Sequence, residues 1–270
     1  MRSLLQGIEG YDEFEFTIFL VDDGSSDGTS ELVEKLYPEV KIIQGSGTLY
    51  WAGGMRLAWD TALKTFDYDA YLLLNDDVIL EESVLAQIKI AERYSLNCTG
   101  KKGIYSGITV DQETHAVTYG GYVITRNSFL FRLKKLTPQG RPQICHLANA
   151  NILWVDKSVV EQIGIFDAVF THGIADYDYS LRARKHALPV FVVPGVCGYC
   201  SNDHGVNWKD PSVSLKERIE YLKSPKGLSS TQYLFFIRRH FPFSFPYFFV
   251  MLWMKTLFPQ FWKIFKKVEG

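Results

Sequence analysis

The stretch Tyr71-Leu72-Leu73-Leu74-Asn75-Asp76-Asp77-Val78 constrains this chain more than any other. Its apolar run is too short for a helix and is bounded by polar residues. It therefore reads as a strand buried on both faces, the kind found in a parallel sheet covered by helices. Open α/β sheets hold their ligands beyond the carboxyl ends of their strands, and paired carboxylates there suit a hard divalent cation, Mn²⁺ or Mg²⁺, bridging to a phosphate. Taken alone, the same residues also fit a solvated strand-to-helix turn with Asp77 near a helix N-terminus.

Upstream, Phe16 to Val21 predicts a second buried strand, stopped by Asp22-Asp23-Gly24-Ser25 and a turn that caps a helix from Ser30 to Leu36. A carboxylate at such a strand end can accept a hydrogen bond from a nucleotide base, or simply cap the turn. Val40 to Ile43 predicts a third strand. Gly45-Ser46-Gly47 then opens a loop into Trp51-Ala52-Gly53-Gly54-Met55-Arg56, where paired glycines before a helix let the backbone approach a diphosphate that Arg56 can pair with. Glu82 to Tyr94 has helical spacing, and Ile104 to Val110 with Ala116 to Thr125 read as two short strands of a small antiparallel insertion.

Composition bounds the rest. At 270 residues and 47% hydrophobic, the chain suffices for one large α/β domain with an appendage. A net charge of −1 argues against a nucleic-acid binder, but the charge is uneven: 19 Lys+Arg against 27 Asp+Glu through Leu215, then 10 against 3 from Lys216, or −8 and +7. Four cysteines, at positions 98, 145, 197 and 200, form no secreted disulfide framework at this length and point to a reducing cytosol. Cys197-Gly-Tyr-Cys200 followed by His204 lacks an evident second ligand pair for zinc. Met1 leads into a polar stretch without an apolar signal segment. Phe241 to Met254 is uncharged, but Pro242 and Pro246 interrupt its start and Lys255 ends it, short of the roughly 20 residues of a membrane span. Trp253, Phe258, Phe261, Trp262 and Phe265 beside Lys255, Lys263, Lys266 and Lys267 predict an interfacial helix pair on anionic lipid; a hydrophobic helix packed on the core or on a second subunit is the alternative.

The series strand-Asp-Asp-Gly-Ser, Gly-containing helix start and apolar strand ending in Asn-Asp-Asp resembles the nucleotide-sugar half of family-two glycosyltransferases of the GT-A fold. The resemblance continues through Asn149-Ala150-Asn151 to Asp156, Val160 to Asp167 and Phe170 to Lys185, the last similar to the family's Glu-Asp-x-Asp-x-x-x-Arg segment with Ala175 in place of Glu. It covers about Phe16 to Val193. It implies an α/β, Rossmann-like, mostly parallel sheet flanked by helices, with a small antiparallel insertion and a hydrophobic C-terminal helical tail. The GT-A domain would span 1–215, its nucleotide-sugar half about 1–97 and its acceptor half about 98–215, with a basic, aromatic helical segment over 216–270.

Residue by residue, the resemblance implies that Asp23 binds the nucleotide base, with Asp22, Gly24 and Ser25 beside it. Gly53, Gly54, Arg56, Asn75 and Asp76 complete the donor side, and Asp77 ligates the metal with His204 as a further ligand. Asp176 is the catalytic base, while Trp51, Asn149, Asn151, Asp178 and Arg182 stand on the acceptor side. Asp178, in the first turn of its helix, suits a structural role or the orienting of Arg182 better than that of a second base. Arg56, Ala58 and Asn75 depart from the Asn, Gly and acid that many members carry, which blurs donor identity. The expected reaction is inverting, divalent-cation-dependent transfer of a hexosyl or deoxyhexosyl group from a nucleotide-diphosphate sugar to a hydroxyl of a lipid-linked saccharide. Its expected setting is cell-surface polysaccharide synthesis in the cytoplasm, at the inner face of the membrane, with self-association left open. Readings from other classes are a catalytically silent GT-A-fold binding or scaffold protein and a nucleotidyltransferase, whose basic, glycine-rich phosphate loop is not evident. Family members open with a further strand and helix before Phe16. Met1 to Gly10 read as the end of that helix, so the resemblance implies unpaired edges in the middle of the sheet, next to the base site.

Overall fold

The structure is a computed structural model that describes residues 1–8, 11, 13–127, 130–201, 208 and 210–260, with the backbone alone at 126 and 127. Helix α1 (Arg2–Ile8) precedes strand β1 (Phe19–Asp22), helix α2 (Thr29–Leu36) and strand β2 (Lys41–Gln44). Helix α3 (Tyr50–Thr65) leads to β3 (Ala70–Leu74), the short β4 (Ile79–Leu80) and α4 (Val84–Thr99). Strands β5 (Ile104–Val110), β6 (Val117–Tyr119), β7 (Gly121–Asn127), β8 (Leu130–Lys135), β9 (Gln143–Ile144), β10 (Leu147–Ala148) and β11 (Ile152–Asp156) follow. Then come α5 (Lys157–Ile163), α6 (Ala175–Lys185) and the long β12 (Val190–Tyr199). The C-terminal part is helical: α7 (Leu215–Lys223), α8 (Ser230–His240), a 3-10 turn at Pro242–Ser244 and α9 (Phe245–Leu257).

The main sheet has the order β3-β11-β5-β12-β4, with β6 added to β5 and β9 to β12. β3, β5 and β12 run one way, and β11 runs against them between β3 and β5. Side chains alternate across a strand, so each strand feeds two cores. Leu153 and Val155 of β11 join Trp59 of α3, Tyr179 of α6 and Phe236 of α8 on one face; Ile152 and Trp154 join Leu85 and Ile88 of α4 on the other. This is an α/β architecture with helices on both faces.

β5 corrects the sequence reading. Ile104 to Val110 belongs to no peripheral insertion but to the centre of the sheet, with all seven residues buried. Its hydroxyls hide it in the sequence. Ser106 Oγ lies 2.6 Å from the Gly120 carbonyl and 3.0 Å from that of Asn149, and the Thr109 and Thr118 hydroxyls lie 2.8 Å apart, so each polar group is satisfied inside the core. The antiparallel insertion comes one segment later, as the three-stranded sheet β10-β7-β8. Element limits also move: β1 starts at Phe19 instead of Phe16, and α4 continues to Thr99, where Gly100 (φ 70°) ends it in the left-handed conformation.

β1 pairs in parallel with β2, and β3 pairs antiparallel with β11; neither has another partner among the described residues. The two strands nonetheless lie side by side. At their amino ends the rings of Phe19 and Tyr68 meet edge-on, centroids 6.2 Å apart. At their carboxyl ends both reach the start of α3, where Leu49 N donates to Asp23 at 2.7 Å and Trp51 Nε1 to Asn75 Oδ1 at 2.7 Å. β1 and β3 thus run in the same direction without sharing a ladder, and a cavity of about 1130 Å³ separates them.

The tail divides. Phe236, Ile237 and Phe241, in and just after α8, are buried in the main core, whereas Phe243 is 92% exposed and Phe249, Val250, Trp253 and Phe258 are exposed along α9. No helix among the described residues is long and apolar enough to cross a membrane. Residues 261–270, which include Phe261, Trp262, Lys263, Phe265, Lys266 and Lys267 of the expected interfacial pair, lie outside the described residues.

Candidate active site

The carboxyl end of β3 is the meeting point of the molecule. Asn75 N donates to the Asn151 carbonyl at 3.1 Å, carrying the backbone out of the strand into a turn. The chain then enters β4, whose Ile79 and Leu80 pair antiparallel with Tyr199 and Gly198 of β12. No helix starts at Asp77, so the capping reading of the Asn-Asp-Asp motif does not apply. Asp76 and Asp77 are exposed on the turn. The end of β12 sets Cys200 beside them: its thiol donates to Asp77 Oδ2 at 3.6 Å and accepts from Asn151 Nδ2 at 3.9 Å.

The buried loop Asn149-Ala150-Asn151, between β10 and β11, joins this turn to α6. Asn151 holds Asn75 on one side, and on the other Ala150 N donates to Asp176 Oδ2 at 3.2 Å. Asp176 lies in the first turn of α6, 8% exposed, and its Oδ1 also accepts from Tyr177 N at 2.8 Å. Burial pushes its carboxyl up to about 6, against the pull of those amides. Such a group is mostly ionised at neutral pH yet basic enough to take a proton. Around it, Asn149 Nδ2 donates to Tyr177 Oη at 3.2 Å, Asn149 Oδ1 accepts from Gly120 N at 3.4 Å, and Tyr122 meets Tyr177 edge-on at 6.0 Å. Sequence reasoning missed Cys200 as the neighbour of Asp77 and missed the Tyr122–Tyr177 pair. The position of Cys200 just past an apolar strand, like that of Asn75 past its own, was the available signal.

Asp178 and Arg182 do not face an acceptor. Two residues along a helix is a rotation of about 200°, so with Asp176 on the site Asp178 faces the core. It is fully buried, and Arg182 Nε (2.9 Å), Arg239 Nη1 (3.0 Å) and His240 Nε2 (2.7 Å) converge on its carboxylate. Burial raises the Asp178 pKa, but the hydrogen bonds from His240 and Arg239 and the Arg182 charge outweigh it, and the net shift is downward. Arg182 also donates to the carbonyls of Ile163 and Ile165, each at 2.7 Å, and Arg239 reaches Asp167 at 2.7 Å. This cluster fastens α6 to α8.

The start of α3 also differs from expectation. The helix begins at Tyr50, so Gly53 and Gly54 lie inside its first turns instead of before them. Its leading amides have partners within the protein. Asp23 accepts from Gly47 N (2.8 Å), Leu49 N (2.7 Å) and Tyr50 N (3.2 Å); His172 Nδ1 accepts from Trp51 N (3.4 Å); the Thr171 carbonyl accepts from Ala52 N (3.1 Å) and Gly53 N (3.3 Å). The donors that a helix start leaves open are thereby filled. Arg56 is used locally as well, donating to the carbonyls of Phe170 and, at 3.2 Å, Asp167, and its burial lowers its pKa. Asp22 accepts from the Ser30 hydroxyl and from Ser25 N (2.7 Å), which pull its pKa down. Gly24 has φ 87°, and a Cβ there would stand 3.2 Å from Gly47 Cα. The Asp22–Ser25 turn is thus built against the loop that leads into α3.

For a cation, the donor set is Asp76 and Asp77, exposed oxygen ligands at a strand end, with the Cys200 thiol alongside. Among the described residues no group of three or more His, Cys, Asp or Glu gathers, and His204 lies outside them. Hard carboxylate oxygens with room for phosphate and water fit Mn²⁺ or Mg²⁺, which keep several non-protein ligands.

The family model described as glycosyl transferase family 2 matches residues 1–154. No curated protein matches. Among solved structures, the mannosyltransferase PcManGT from Pyrobaculum calidifontis in complex with GDP-Man and Mn²⁺ is 14% identical, with a TM-score of 0.46 over 73% of this chain and 50% of that one. GalNAc-T7 with UDP, GalNAc and Mn²⁺ is 14% identical, with a TM-score of 0.49 over 83% and 48%. TarS from S. aureus in complex with UDP-GlcNAc is 14% identical, with a TM-score of 0.47 over 83% and 62%. The chain spans 48% to 62% of the length of these structures.

Proposed function

The chain belongs to glycosyl transferase family 2, and from that premise we propose that it moves a sugar from a nucleotide-diphosphate sugar to a hydroxyl of a saccharide acceptor, with inversion. The observation that carries this reading is the loop 149–151, bonded on one side to Asn75 at the head of the Asp76–Asp77 turn and on the other to Asp176. Donor-side carboxylates and a candidate base therefore flank one loop. Asp76 and Asp77 would hold the divalent cation, which stabilises the charge of a departing diphosphate as a Lewis acid. Asp176, ionised above about pH 6, accepts the proton of the acceptor hydroxyl as that oxygen attacks. One base and one displacement give inversion. Asn149 and Tyr177, bonded to each other beside Asp176, orient the acceptor, and the Asp22–Ser25 turn borders the donor's base. The basic charge of 216–270 and the exposed aromatic residues of α9 support a seat on the anionic inner face of the cytoplasmic membrane. A lipid-linked saccharide of cell-surface polysaccharide synthesis would be the acceptor there.

The test is release of free nucleoside diphosphate from a panel of nucleotide sugars with Mn²⁺, alongside thermal shifts of the intact protein and of Asp77→Ala. We expect a Mn²⁺-dependent rise in Tm with a donor, absent in the variant. A full shift in Asp77→Ala would move the metal elsewhere. No turnover with any donor would favour a catalytically silent binding protein on the same fold, a reading that the engagement of Asp23 with three backbone amides also supports.

A further inference from the structure

The segment from Phe170 to Ile174, which leads into α6 and Asp176, is fixed from two sides. From α8, Gln232 spends both ends of its amide on Thr171, accepting from its N–H at 3.2 Å and donating to its hydroxyl at 2.8 Å. From α3, the Thr171 carbonyl accepts the Ala52 and Gly53 amides, and His172 Nδ1 accepts from Trp51 N at 3.4 Å. The Tyr50 ring meets the imidazole edge-on, centroids 6.4 Å apart. The backbone on each side of this contact is strained: Tyr50 has φ 54° and the β-branched Ile174 φ 72°, both in the left-handed region. Such strain persists only where the surroundings hold it, and it gathers at functional sites.

The bond from Trp51 also fixes where the imidazole carries its hydrogen. A ring nitrogen that accepts from an amide is unprotonated, so the neutral ring holds its hydrogen on Nε2. Burial, and after it the charge of Lys226, lower the His172 pKa and keep the ring neutral at neutral pH. Nε2–H is thus a donor held in place on a half-buried side chain, and it has no hydrogen-bond partner among the described residues. Next to it, a Cβ on Gly173 would meet nothing within 4 Å, which leaves room for a ligand.

The position of His172 identifies that ligand. Trp51, which holds His172 by its amide, holds Asn75 at the head of the Asp76–Asp77 turn by its indole N–H at 2.7 Å. Asp176 follows in the first turn of α6. His172 therefore stands between the turn that would carry a cation and the candidate base, where the proposed reaction puts the diphosphate and the sugar it carries. The leading amides of α3 and Arg56 are already bound within the protein, so His172 supplies a donor that they do not.

We propose that His172 is a ligand of the donor's diphosphate, its Nε2–H donating to a phosphate oxygen; the inference rests on the transfer reaction proposed above. As the bond from the anomeric carbon to the diphosphate oxygen breaks, its electron pair stays with that oxygen. The acceptor oxygen bonds the carbon, and its proton passes to Asp176. His172 gives up no proton; it stabilises the growing negative charge from a position fixed beforehand.

The natural protein, His172→Asn and His172→Gln are compared by calorimetry for binding of UDP, GDP, ADP, CDP and dTDP with Mg²⁺, with Tm read alongside. The Asn amide can still accept from Trp51 N but has no donor where Nε2 stood; the Gln amide reaches the Nε2 position but leaves Trp51 N free. Whichever nucleotide the natural protein takes, we expect the Asn variant to keep its Tm and bind about tenfold more weakly, and the Gln variant to recover most of the affinity. In the natural protein, nitrogen NMR of the imidazole should show hydrogen on Nε2, protected from exchange once nucleotide is added. A Gln variant that binds no better than the Asn variant, or hydrogen on Nδ1, would overturn the proposal and leave the donor reading standing. Binding of none of these nucleotides by the natural protein would overturn both. Binding that depends on the Nε2 donor, without turnover of any nucleotide sugar, would uphold the ligand role and remove the transferase reading.

Discussion

Asp176 is costly to the fold that holds it. The carboxyl ionises near 3.8 in ordinary surroundings and at about 6 here. Between roughly pH 4 and pH 6 the folded protein therefore keeps a proton that the unfolded chain has lost, so stability falls as pH rises through that window and levels off above it. Each pKa unit corresponds to about 1.4 kcal/mol. Asp176→Asn, which cannot ionise, should be more stable than the natural protein by about 1–3 kcal/mol at pH 7.5 and no more stable at pH 4, as read by urea melts. Transfer should fall by about 10²–10⁴-fold in the same variant, and the natural protein's kcat/KM should show an acid limb near pH 6. Equal stability differences at both pH values would show a carboxyl as free as one in water, and undiminished transfer would assign the base elsewhere. Asp176 and Asp178 look alike in sequence and have opposite fates, because their environments come from distant segments. One meets the loop 149–151, the other Arg239 and His240, some 60 positions downstream. Covalently adjacent features such as Asn75-Asp76-Asp77 were legible; three-dimensional neighbours such as Cys200 were not.

Helices α6 and α8 act as one element through Asp178. Removing a buried carboxylate that holds two guanidinium groups and the His240 imidazole leaves both arginine charges short of a partner, a loss of about 3–5 kcal/mol. Asp178→Ala should show it as a lower urea midpoint with an unchanged slope, whereas a change within about 0.5 kcal/mol would mean that the cluster relaxes to water. The 3-10 turn and α9 behave differently, because Phe243 and Val250 are exposed. Phe243→Asp with Val250→Asp should leave that midpoint in place and weaken binding to anionic vesicles; unchanged vesicle binding would leave these residues to another partner. The strands most readable in the sequence were those with unbroken apolar runs. β5 was misplaced because Ser106 and Thr109 satisfy their hydroxyls internally, something no periodicity reveals. The start of α3 was misread because paired glycines suggest an open turn, while Asp23 and Thr171 in fact hold a continuous helix.

At the scale of the whole molecule, charge and architecture point in complementary directions. The −8 of residues 1–215 and the +7 of 216–270 make the chain strongly dipolar, with its basic part carrying the exposed aromatic residues. Vesicle binding of the intact protein should therefore weaken as salt rises toward 0.5 M, where screening acts within about 4–5 Å; salt-independent binding would assign the contact to apolar burial alone. The helices on both sheet faces were readable from the sequence. The cavity between β1 and β3 was not readable from the order of residues, since an open edge is a property of what lies across from it; only the family resemblance pointed there. One feature of α3 bears on how such a protein is governed in its surroundings. With the amides from Leu49 to Gly53 bound to Asp23, His172 and Thr171, and with Arg56 tied to backbone carbonyls, this helix brings little charge of its own to a phosphate. On the proposed reading a diphosphate would then arrive in company with its counterion, and occupancy would follow the free divalent ion of the compartment as closely as the supply of activated sugar.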